Sequence, residues 1–366
     1  MNVIVPEITL PASGRYLLLS DLHLGDGGRR DLARGRDASL LAFLDGDTAD
    51  MDAVVLAGDI LDGWQTDRAD AIVRAHPRVV ARLAALAAER PTYLVLGNHD
   101  RRDFIDALLP QVRTCQALAL DTEALVIHGH QLDVHFGGGP LDGKGNFSLK
   151  AHKAVEQLTG QFIRLPFAEF DNPTNRFAHW VFYRLTMAAR LYAQLQAGLG
   201  RPYRLRRWAA HHDYWARSQW GDNHAMLIPA LNLLARIPQR RLIVGHSHQP
   251  GVVAGLSRPP TGRVSGEPGL HWREGDRRVP EPAELDGKEY VNLGSWTFGQ
   301  STYTLWDGGA LQLRDHVTGE STGSRSYDMA LTAQELPGMR EWWVRYYRGL
   351  LRYDSEAIQR DFTAIR

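Results

Sequence analysis

The sequence predicts an α/β fold, and two observations support this prediction. Short apolar runs rich in β-branched residues or leucine alternate with longer segments of helical periodicity through the first third of the chain. The chain has 366 residues, of which 44% are hydrophobic, so it can bury one large core or two smaller ones. We therefore expect strands and helices to alternate around a sheet.

Five apolar runs predict the core strands. In chain order they cover residues 16–20, 53–57, 92–96, 124–127 and Arg241–Val244. Between the second and third runs, the segment 68–89 places apolar side chains at helical spacing, namely Ile72, Val79, Val80, Leu83 and Leu86. Core sequence returns at 290–296, 302–306 and 311–314, with a turn at Asp307, Gly308 and Gly309 between the last two.

Each of the five strands runs directly into polar residues that can bind a metal or transfer a proton. These residues are Asp21, His23, Asp59, Asn98, His99, Asp100, His128, His130, His246 and His248. Open α/β sheets assemble their sites at the carboxyl ends of strands, so the five endings can meet at one rim.

Most of these residues form a ligand set of oxygen and nitrogen atoms without thiolate. Its members are Asp21, His23, Asp59, Asn98, His128, His246 and His248. Such a set suits two borderline divalent ions such as Mn²⁺, Fe²⁺ or Zn²⁺, and it contains too much imidazole for calcium or magnesium. Two cations about 3.5–4 Å apart need a shared carboxylate, for which Asp59 is the candidate. A single DxH or Gly-Asp motif is more often an ordinary turn, but the coincidence of five motifs favours a site.

Composition excludes several other classes of protein. Cys115 is the only cysteine, which excludes an internal disulfide and any cysteine-based zinc or iron–sulfur site. Lys plus Arg equal Asp plus Glu at 42 each, so the whole-chain charge does not indicate a nucleic-acid binder. The sequence has no signal-peptide pattern and no apolar run of membrane-spanning length. We therefore expect a cytoplasmic protein.

The order of the motifs, D-x-H, GDxxD, GNHD, a lone His and GHxH, resembles the calcineurin-like metallophosphoesterase family. The residues that carry the resemblance are Asp21 to His23, Gly58 to Asp62, Gly97 to Asp100, His128 and Gly245 to His248. The resemblance extends from residue 16 to about residue 306, apart from insertions. It implies an α/β two-sheet sandwich flanked by helices, with the metals at its rim.

The resemblance also implies a role for each residue. One ion would be held by Asp21, His23, Asp59 and His248, and the other by Asp59, Asn98, His128 and His246. His130 is a less favoured ligand than His128, because the family's lone histidine lies where the strand ends. A metal-bridging hydroxide would attack phosphorus in line. His99 would protonate the leaving oxygen as general acid, with Asp100 orienting it. The expected cofactors are two divalent ions, Mn²⁺ first and Fe²⁺ or Zn²⁺ as alternatives.

A long insertion is expected to interrupt the core. We predict core at 1–139 and 223–325, a helical cap at 140–222 and a helical tail at 326–366. Residues 150–217 carry an excess of about seven positive charges, and Arg204, Arg206 and Arg207 are candidates for binding substrate phosphate. An apolar stripe at 177–195 suits either a helix packed on its neighbours or a cap that grips a lipid or a base. The aromatic, basic tail suits either docking on its own domain or a twin subunit, or a peripheral membrane contact.

Motif details are similar to the branch of the family that contains UDP-2,3-diacylglucosamine pyrophosphatase, which cleaves a lipid-bearing nucleotide sugar. His99 departs from that branch, which has arginine there, and restores the general acid of ordinary phosphodiesterases. We therefore expect a phosphodiesterase or pyrophosphatase that acts on a nucleotide-type or lipid-linked substrate. Two alternatives stay open, a nuclease of the same superfamily and a catalytically silent binding scaffold with the same fold.

Overall fold

The computed structural model describes residues 4–28, 31–46, 50–132, 199, 230–248, 250–258, 282–297, 300–322 and 324–328. Within these residues the chain forms two mixed seven-stranded sheets that pack face to face, with helices against their outer faces. This arrangement confirms the predicted α/β two-sheet sandwich. Arg204, Arg206 and Arg207, and nearly all of the predicted cap and of the predicted tail, lie outside the described residues.

The described strands are short, and the helices lie mainly in the first third of the chain. The strands are β1 Ile8–Leu10, β2 Arg15–Leu19, β3 Ala53–Leu56, β4 Thr92–Val95, β5 Arg113–Cys115, β6 Leu118–Leu120, β7 Ala124–Val126, β8 Arg241–Val244, β9 Gly251–Arg258, β10 Glu289–Asn292, β11 Thr302–Asp307, β12 Ala310–Asp315, β13 Ser321–Thr322 and β14 Ser324–Asp328. The helices are α1 Asp37–Gly46, α2 Ala69–Ala75, α3 Pro77–Glu89 and α4 Arg102–Leu108, with 3₁₀ turns at His130–Leu132 and Pro282–Leu285.

Both sheets contain a run of parallel strands. The first sheet has the order β13-β12-β11-β2-β3-β4-β5, in which β2 to β5 are parallel and the other three strands pair antiparallel. The second sheet has the order β1-β6-β7-β8-β10-β9-β14, in which β7, β8 and β10 are parallel. The carboxyl ends of the four parallel strands β2 to β5 therefore lie along one edge of the first sheet, and those of β7, β8 and β10 lie along one edge of the second.

The alternation of side chains along β3 shows how the core is layered. Val54 and Leu56 belong to the cluster that packs under the helices, whereas Val55 belongs to the cluster between the two sheets. Ile243 of β8 and Val291 of β10 meet Val55 in that central layer. Successive strand residues point to opposite faces, so a strand covered on both faces is apolar throughout.

The predicted helix at 68–89 is wrong in one respect, because it is two helices. Pro77 begins α3, where its missing N–H needs no partner, and the residue before a proline is disfavoured in the helical region. The helix α2 therefore ends before His76. The buried His76 ring lies between two carboxylates, with Nδ1 2.7 Å from Asp37 Oδ1 and Nε2 2.8 Å from Asp31 Oδ2. Helical periodicity continues through this break, so it does not reveal it.

Each of the five predicted core strands is present, with its ends within one residue of those predicted. Strands β7 and β8, which flank the expected cap in sequence, are direct neighbours in the second sheet. The last described strand, β14, continues to Asp328, beyond the expected end of the core at 325. No helix in the described part of the chain combines the length and apolar character needed to cross a bilayer.

Candidate metal centre

Loops from both sheets converge at one rim of the sandwich. In the first sheet, β2 leads into Asp21 and His23, β3 leads into Asp59, and β4 leads into Asn98, His99 and Asp100. In the second sheet, β7 leads into His128, and β8 leads into His246 and His248. Contacts across the sheets join these loops, for example Nε2 of His128 with Oδ2 of Asp59 at 3.2 Å. The rim is the place where a site is expected in an open α/β sheet.

Five ligand candidates have a left-handed backbone. The φ angles are 55° for Asp21, 49° for His23, 54° for Asp59, 67° for His246 and 56° for His248. Residues other than glycine rarely adopt this region, which costs roughly 1 kcal/mol or more for each residue. Backbone hydrogen bonds hold two of these loops together, since the N–H groups of Asp21 and His23 donate at 2.9 Å to the carbonyls of Gly58 and Asp59. Strain concentrated at one set of polar residues is typical of a functional site.

The first ligand cluster consists of Asp21, His23 and His248, whose ligand atoms all lie within 4.8 Å of one another. Oδ1 of Asp21 is 3.1 Å from Nε2 of His248 and 3.6 Å from Nε2 of His23, and the two nitrogens are 3.3 Å apart. Two ligands that each lie about 2.1 Å from one ion are separated by about 3.0–3.4 Å. The distances between these ligand atoms are therefore close to those expected around a single bound ion.

The second ligand cluster consists of Asp59, His128 and His246. Nε2 of His128 is 3.2 Å from Oδ2 of Asp59 and also 3.2 Å from Oδ1 of Asn98. The asparagine side chain therefore lies within this second cluster. Asp59, His128 and Asn98 are buried, whereas His246 is partly exposed. The second cluster thus has an open side toward solvent.

Asp59 lies between the two clusters. Its Oδ2 atom is 3.6 Å from Nε2 of His23 and 3.2 Å from Nε2 of His128. Its Oδ1 atom is occupied, because it accepts a hydrogen bond from the N–H of His99 at 2.8 Å. One oxygen of this carboxylate is therefore fixed by the backbone, and the other faces a histidine from each cluster.

The donor atoms at the rim fit divalent cations. Oδ2 of Asp21 accepts hydrogen bonds from Ser20 and from the N–H of His246, while the buried Oδ1 accepts none. Nδ1 of His128 donates to the carbonyl of Ala57 at 2.8 Å, so Nε2 is the ring nitrogen that faces the oxygen atoms of Asp59 and Asn98. Buried acceptors that face one another need a shared positive charge.

The electrostatics of the clusters also favour cations. Burial by itself would raise the pKa of Asp21 and Asp59, but the surrounding histidines hold both pKa values well below their usual range. Burial would lower the pKa of His128, yet Asp59 raises it to about 10. The carboxylates therefore stay ionised, and the space between them and the imidazoles attracts positive charge.

His99 lies beside both clusters, and its nearest carboxylate partner is Asp62. Nδ1 of His99 is 2.9 Å from Oδ1 of Asp62, and Nε2 of His99 is 4.0 Å from Oδ2 of Asp59. Burial opposes ionisation of Asp62, but His99 and His23 lower its pKa, so this carboxylate accepts from both rings. The imidazole of His99 is thus held with Nε2 directed toward the clusters.

The expectation that Asp100 orients His99 is corrected by this geometry. Oδ1 of Asp100 accepts hydrogen bonds from the N–H groups of Ile60 and Leu61 at 2.9 and 3.1 Å, and Oδ2 accepts from Asp59 and Gly97 at 2.8 and 2.9 Å. Burial and the charge of Asp59 raise the pKa of Asp100 to about 6. Asp100 therefore fastens the backbone of the loop that carries Asp59, rather than the His99 ring.

Gly97 allows the close approach of two rim loops. A Cβ atom at this position would overlap the side-chain Oδ1 and the backbone N of Asp59. Gly245 has the same function on the second sheet, where a Cβ would overlap Oγ of Ser20 and Oδ2 of Asp21. The glycines of the GNHD and GHSH motifs thus make room for the carboxylates.

Asn292 braces the loop that carries His246 and His248. Its Nδ2 atom donates to the carbonyl of Gly245 at 3.1 Å and to Oγ of Ser247 at 2.8 Å. Sequence reasoning had assigned no role to Asn292 or to Asp62, although Asp62 ends the GDxxD motif. His130, considered a less favoured ligand, has its ring centroid 5.4 Å from that of His128 and 6.3 Å from that of His246.

Comparisons with known proteins identify the family to which the chain is similar. A family model described as calcineurin-like phosphoesterase matches residues 14–250. The UDP-2,3-diacylglucosamine hydrolase of Shewanella sp. (strain MR-4) is 29% identical over 125 residues, which are 32% of this chain and 48% of that protein. The chain thus spans about half the length of this curated relative.

Two solved structures are also similar to the chain. One is a conserved uncharacterized protein, a predicted phosphoesterase, from Streptococcus pneumoniae TIGR4, with 12% identity, a TM-score of 0.27 and coverage of 82% of this chain and 88% of that one. The other is the nuclease MPE of Pseudomonas putida, with 21% identity, a TM-score of 0.19 and coverage of 29% of this chain and 53% of that one.

Proposed function

Because this chain belongs to the calcineurin-like phosphoesterase family, we propose that it is a two-metal hydrolase of phosphodiester or pyrophosphate bonds. The observation that carries the proposal is the position of Asp59, whose Oδ2 atom is 3.6 Å from Nε2 of His23 and 3.2 Å from Nε2 of His128. A carboxylate oxygen between two histidine clusters is suited to bridging two cations.

The rim residues divide naturally between the two ions. Asp21, His23 and His248 would hold one ion, His128, His246 and Asn98 the other, and Asp59 would contact both. When bound, the ions would activate a water molecule as nucleophile and neutralise charge on the phosphoryl oxygens. The mixed oxygen and imidazole set favours Mn²⁺, with Fe²⁺ or Zn²⁺ as alternatives.

The residues of the chain would supply orientation and a proton. His99 would donate the proton on Nε2 to the leaving oxygen as the bond from phosphorus to that oxygen breaks. Asp62, whose Oδ1 atom is 2.9 Å from Nδ1 of His99, would hold the ring with Nε2 toward the leaving oxygen. Asp100 would keep the Asp59 loop in place through its four backbone hydrogen bonds.

The proposed substrate is a nucleotide-type or lipid-linked phosphoester. The name of the Shewanella relative, a UDP-2,3-diacylglucosamine hydrolase, supports a nucleotide diphosphate linked to a lipid. The basic segment at 150–217 supports an anionic substrate, and we propose Arg204, Arg206 and Arg207 as residues that contact its phosphates. Hydrolysis of an acylated UDP-sugar should then fall when the three arginines are replaced by alanine.

The function is tested with purified protein loaded with Mn²⁺. We expect about two ions bound per chain by elemental analysis, and faster hydrolysis of bis-p-nitrophenyl phosphate than of p-nitrophenyl phosphate. Asp59→Asn should bind fewer ions and lose at least about 10²-fold in kcat, because the shared oxygen becomes a neutral amide. Asp121→Asn is a matched control, since Asp121 also has a positive φ of 45° and interacts instead with the N–H of Ala12.

Several results would contradict this proposal. Full activity and two bound ions in Asp59→Asn would remove Asp59 from the site. Two bound ions without hydrolysis of any diester would favour a silent binding scaffold. Cleavage of DNA that falls steeply with salt and depends on Arg204, Arg206 and Arg207 would favour a nuclease.

A further inference from the structure

Trp64 covers one face of His99. The ring centroids are 4.9 Å apart and the ring planes are inclined by 18°, which is a parallel stack within the usual range for aromatic pairs. Trp64 is half-buried, and the side chain of His99 retains an exposed fraction of 12%. Trp64 thus contacts the proposed proton donor while belonging to neither ligand cluster.

The turn that carries Trp64 is fastened to the same groups as His99. The N–H of Gly63 donates to the carbonyl of His99 at 3.0 Å, and the N–H groups of Trp64 and Gln65 each donate to Oδ1 of Asp62 at 3.1 Å. That oxygen is also the partner of Nδ1 of His99 at 2.9 Å. One carboxylate oxygen therefore binds both the backbone of Trp64 and the imidazole of His99.

A single hydrogen bond does not fix the orientation of an imidazole ring, because the ring can still rotate about the axis of that bond. The ring of His23 meets His99 edge-on, with a centroid distance of 4.7 Å and an interplanar angle of 85°. Trp64 blocks the face of His99, so the two neighbours together restrict this rotation. Nε2 of His99 is left 4.0 Å from Oδ2 of Asp59, directed toward the ligand clusters.

We propose that Trp64 is a positioning residue that aligns His99 for proton donation to the leaving group. This inference rests on the function proposed above. The attacking water releases one proton to solvent and its oxygen forms a bond to phosphorus. The bond from phosphorus to the leaving oxygen breaks, and the leaving oxygen keeps the electron pair and takes the proton from Nε2 of His99. His99 then regains a proton from solvent. The need for this proton grows as the leaving group becomes more basic. Loss of Trp64 should therefore slow esters with poor leaving groups more than esters with good ones.

The test compares methyl p-nitrophenyl phosphate with methyl phenyl phosphate, which share the transferred group and differ in leaving group. We expect Trp64→Ala to lower kcat for the phenyl ester about tenfold more than for the p-nitrophenyl ester. Trp64→Phe should recover most of this difference, because phenylalanine keeps a flat ring over His99. In a His99→Ala background, adding Trp64→Ala should change kcat less than about twofold for either ester.

Bound metal and the midpoint of thermal unfolding should be the same in Trp64→Ala as in wild type. If Trp64→Ala does not fold, Trp64→Leu serves for the same comparison. An equal loss for both esters, or a loss that persists without His99, would overturn the inference and leave Trp64 as a packing or substrate-contact residue. If metal-loaded wild type hydrolyses neither ester, the proposed function fails as well, so the two failures are distinguishable.

Discussion

Asp62 holds His99 by a buried hydrogen bond of 2.9 Å between Oδ1 of the carboxylate and Nδ1 of the ring. The other oxygen, Oδ2, binds Nδ1 of His23 at 3.2 Å, so one carboxylate orients a proposed metal ligand and the proposed proton donor together. In both rings the contact leaves Nε2 facing the clusters. The proton-transfer group and the metal-binding group are therefore placed relative to each other by a residue that does neither job itself.

Asp62→Asn should lower both metal affinity and kcat. The amide cannot accept strongly from two rings, and the partners of metal-binding histidines typically contribute about 10–100-fold to affinity or activity. A titration with Mn²⁺ and kcat for a diester with a poor leaving group measure the two effects. Asp67→Asn is the control, because Asp67 is an exposed partner of Arg101. Unchanged affinity and unchanged kcat in Asp62→Asn would contradict the role that we assign to Asp62.

Gly97→Ala should displace Asp59 and destabilise the fold. The added Cβ would overlap both Oδ1 and the backbone nitrogen of Asp59. The nitrogen cannot move without disturbing its hydrogen bond to Asp100, and Oδ1 cannot move without disturbing its hydrogen bond from the N–H of His99. We expect a loss of about 1–3 kcal/mol in the free energy of unfolding and weaker metal binding, measured by urea unfolding and metal titration. Gly46→Ala is the matched control, since a Cβ at Gly46 meets no atom within 4 Å. Equal behaviour of the two variants would refute the steric argument.

Asn292→Ala should loosen the loop that carries His246 and His248. The change removes the side-chain donor to the buried carbonyl of Gly245, which keeps a hydrogen bond from the N–H of Ser247, and it also removes the bond to Oγ of Ser247. The loss of each of these two hydrogen bonds costs about 0.5–1.5 kcal/mol. We expect weaker binding at both ions, because each cluster takes one histidine from this loop. Calorimetric titration with Mn²⁺ measures the change, with the exposed Gln312→Ala as control. Wild-type affinity in Asn292→Ala would show that the loop needs no brace.

His76 should make stability depend on pH. Burial would lower its pKa, but Asp31 and Asp37 raise it above the unfolded value of 6.5. A raised folded pKa stabilises the protein fully below the unfolded pKa, and this contribution is lost as pH rises through the folded pKa. The difference in free energy of unfolding between wild type and His76→Gln should therefore shrink as pH rises above 6.5.

Urea unfolding of both proteins across this pH range tests the prediction for His76. Asp37→Asn should reduce the same pH-dependent difference, because it removes one of the two carboxylates that contact the ring. If the free energy of unfolding depended on pH in the same way for wild type and His76→Gln, the pKa of His76 would not differ between the folded and unfolded states.

The strand ends at the rim could be predicted from sequence because an apolar run that stops at a polar motif identifies both the strand and its functional end. Asp59 was selected from sequence because two cations need a shared carboxylate, and its Oδ2 atom does face a histidine of each cluster. The partner of His99 could not be predicted in this way. Asp100 is adjacent in sequence, but the loop after β4 turns its carboxylate toward backbone N–H groups, and Asp62 approaches His99 from the loop after β3.

Strands and helices could be predicted where the apolar pattern was clear and the element was long enough to show it. Strands β1, β5 and β6 contain three residues each, and none of them runs into a polar motif like the one that follows the equally short β7. The break at Pro77 was missed because the apolar spacing continues through α2 and α3. Asn292 was missed because its role depends on the return of β10 beside β8, a long-range pairing that local sequence does not encode.

The placement of ligands on both sheets makes each proposed ion a removable cross-link. An ion held by Asp21, His23 and His248 would join residues that are far apart in the chain, since His23 and His248 are separated by 225 residues. Closing a loop longer than about 100 residues removes more than about 4 kcal/mol of chain entropy from an unfolded state that keeps the link. A chain whose single cysteine, Cys115, is buried can form no internal disulfide, so metal supply would decide how firmly its two halves are joined.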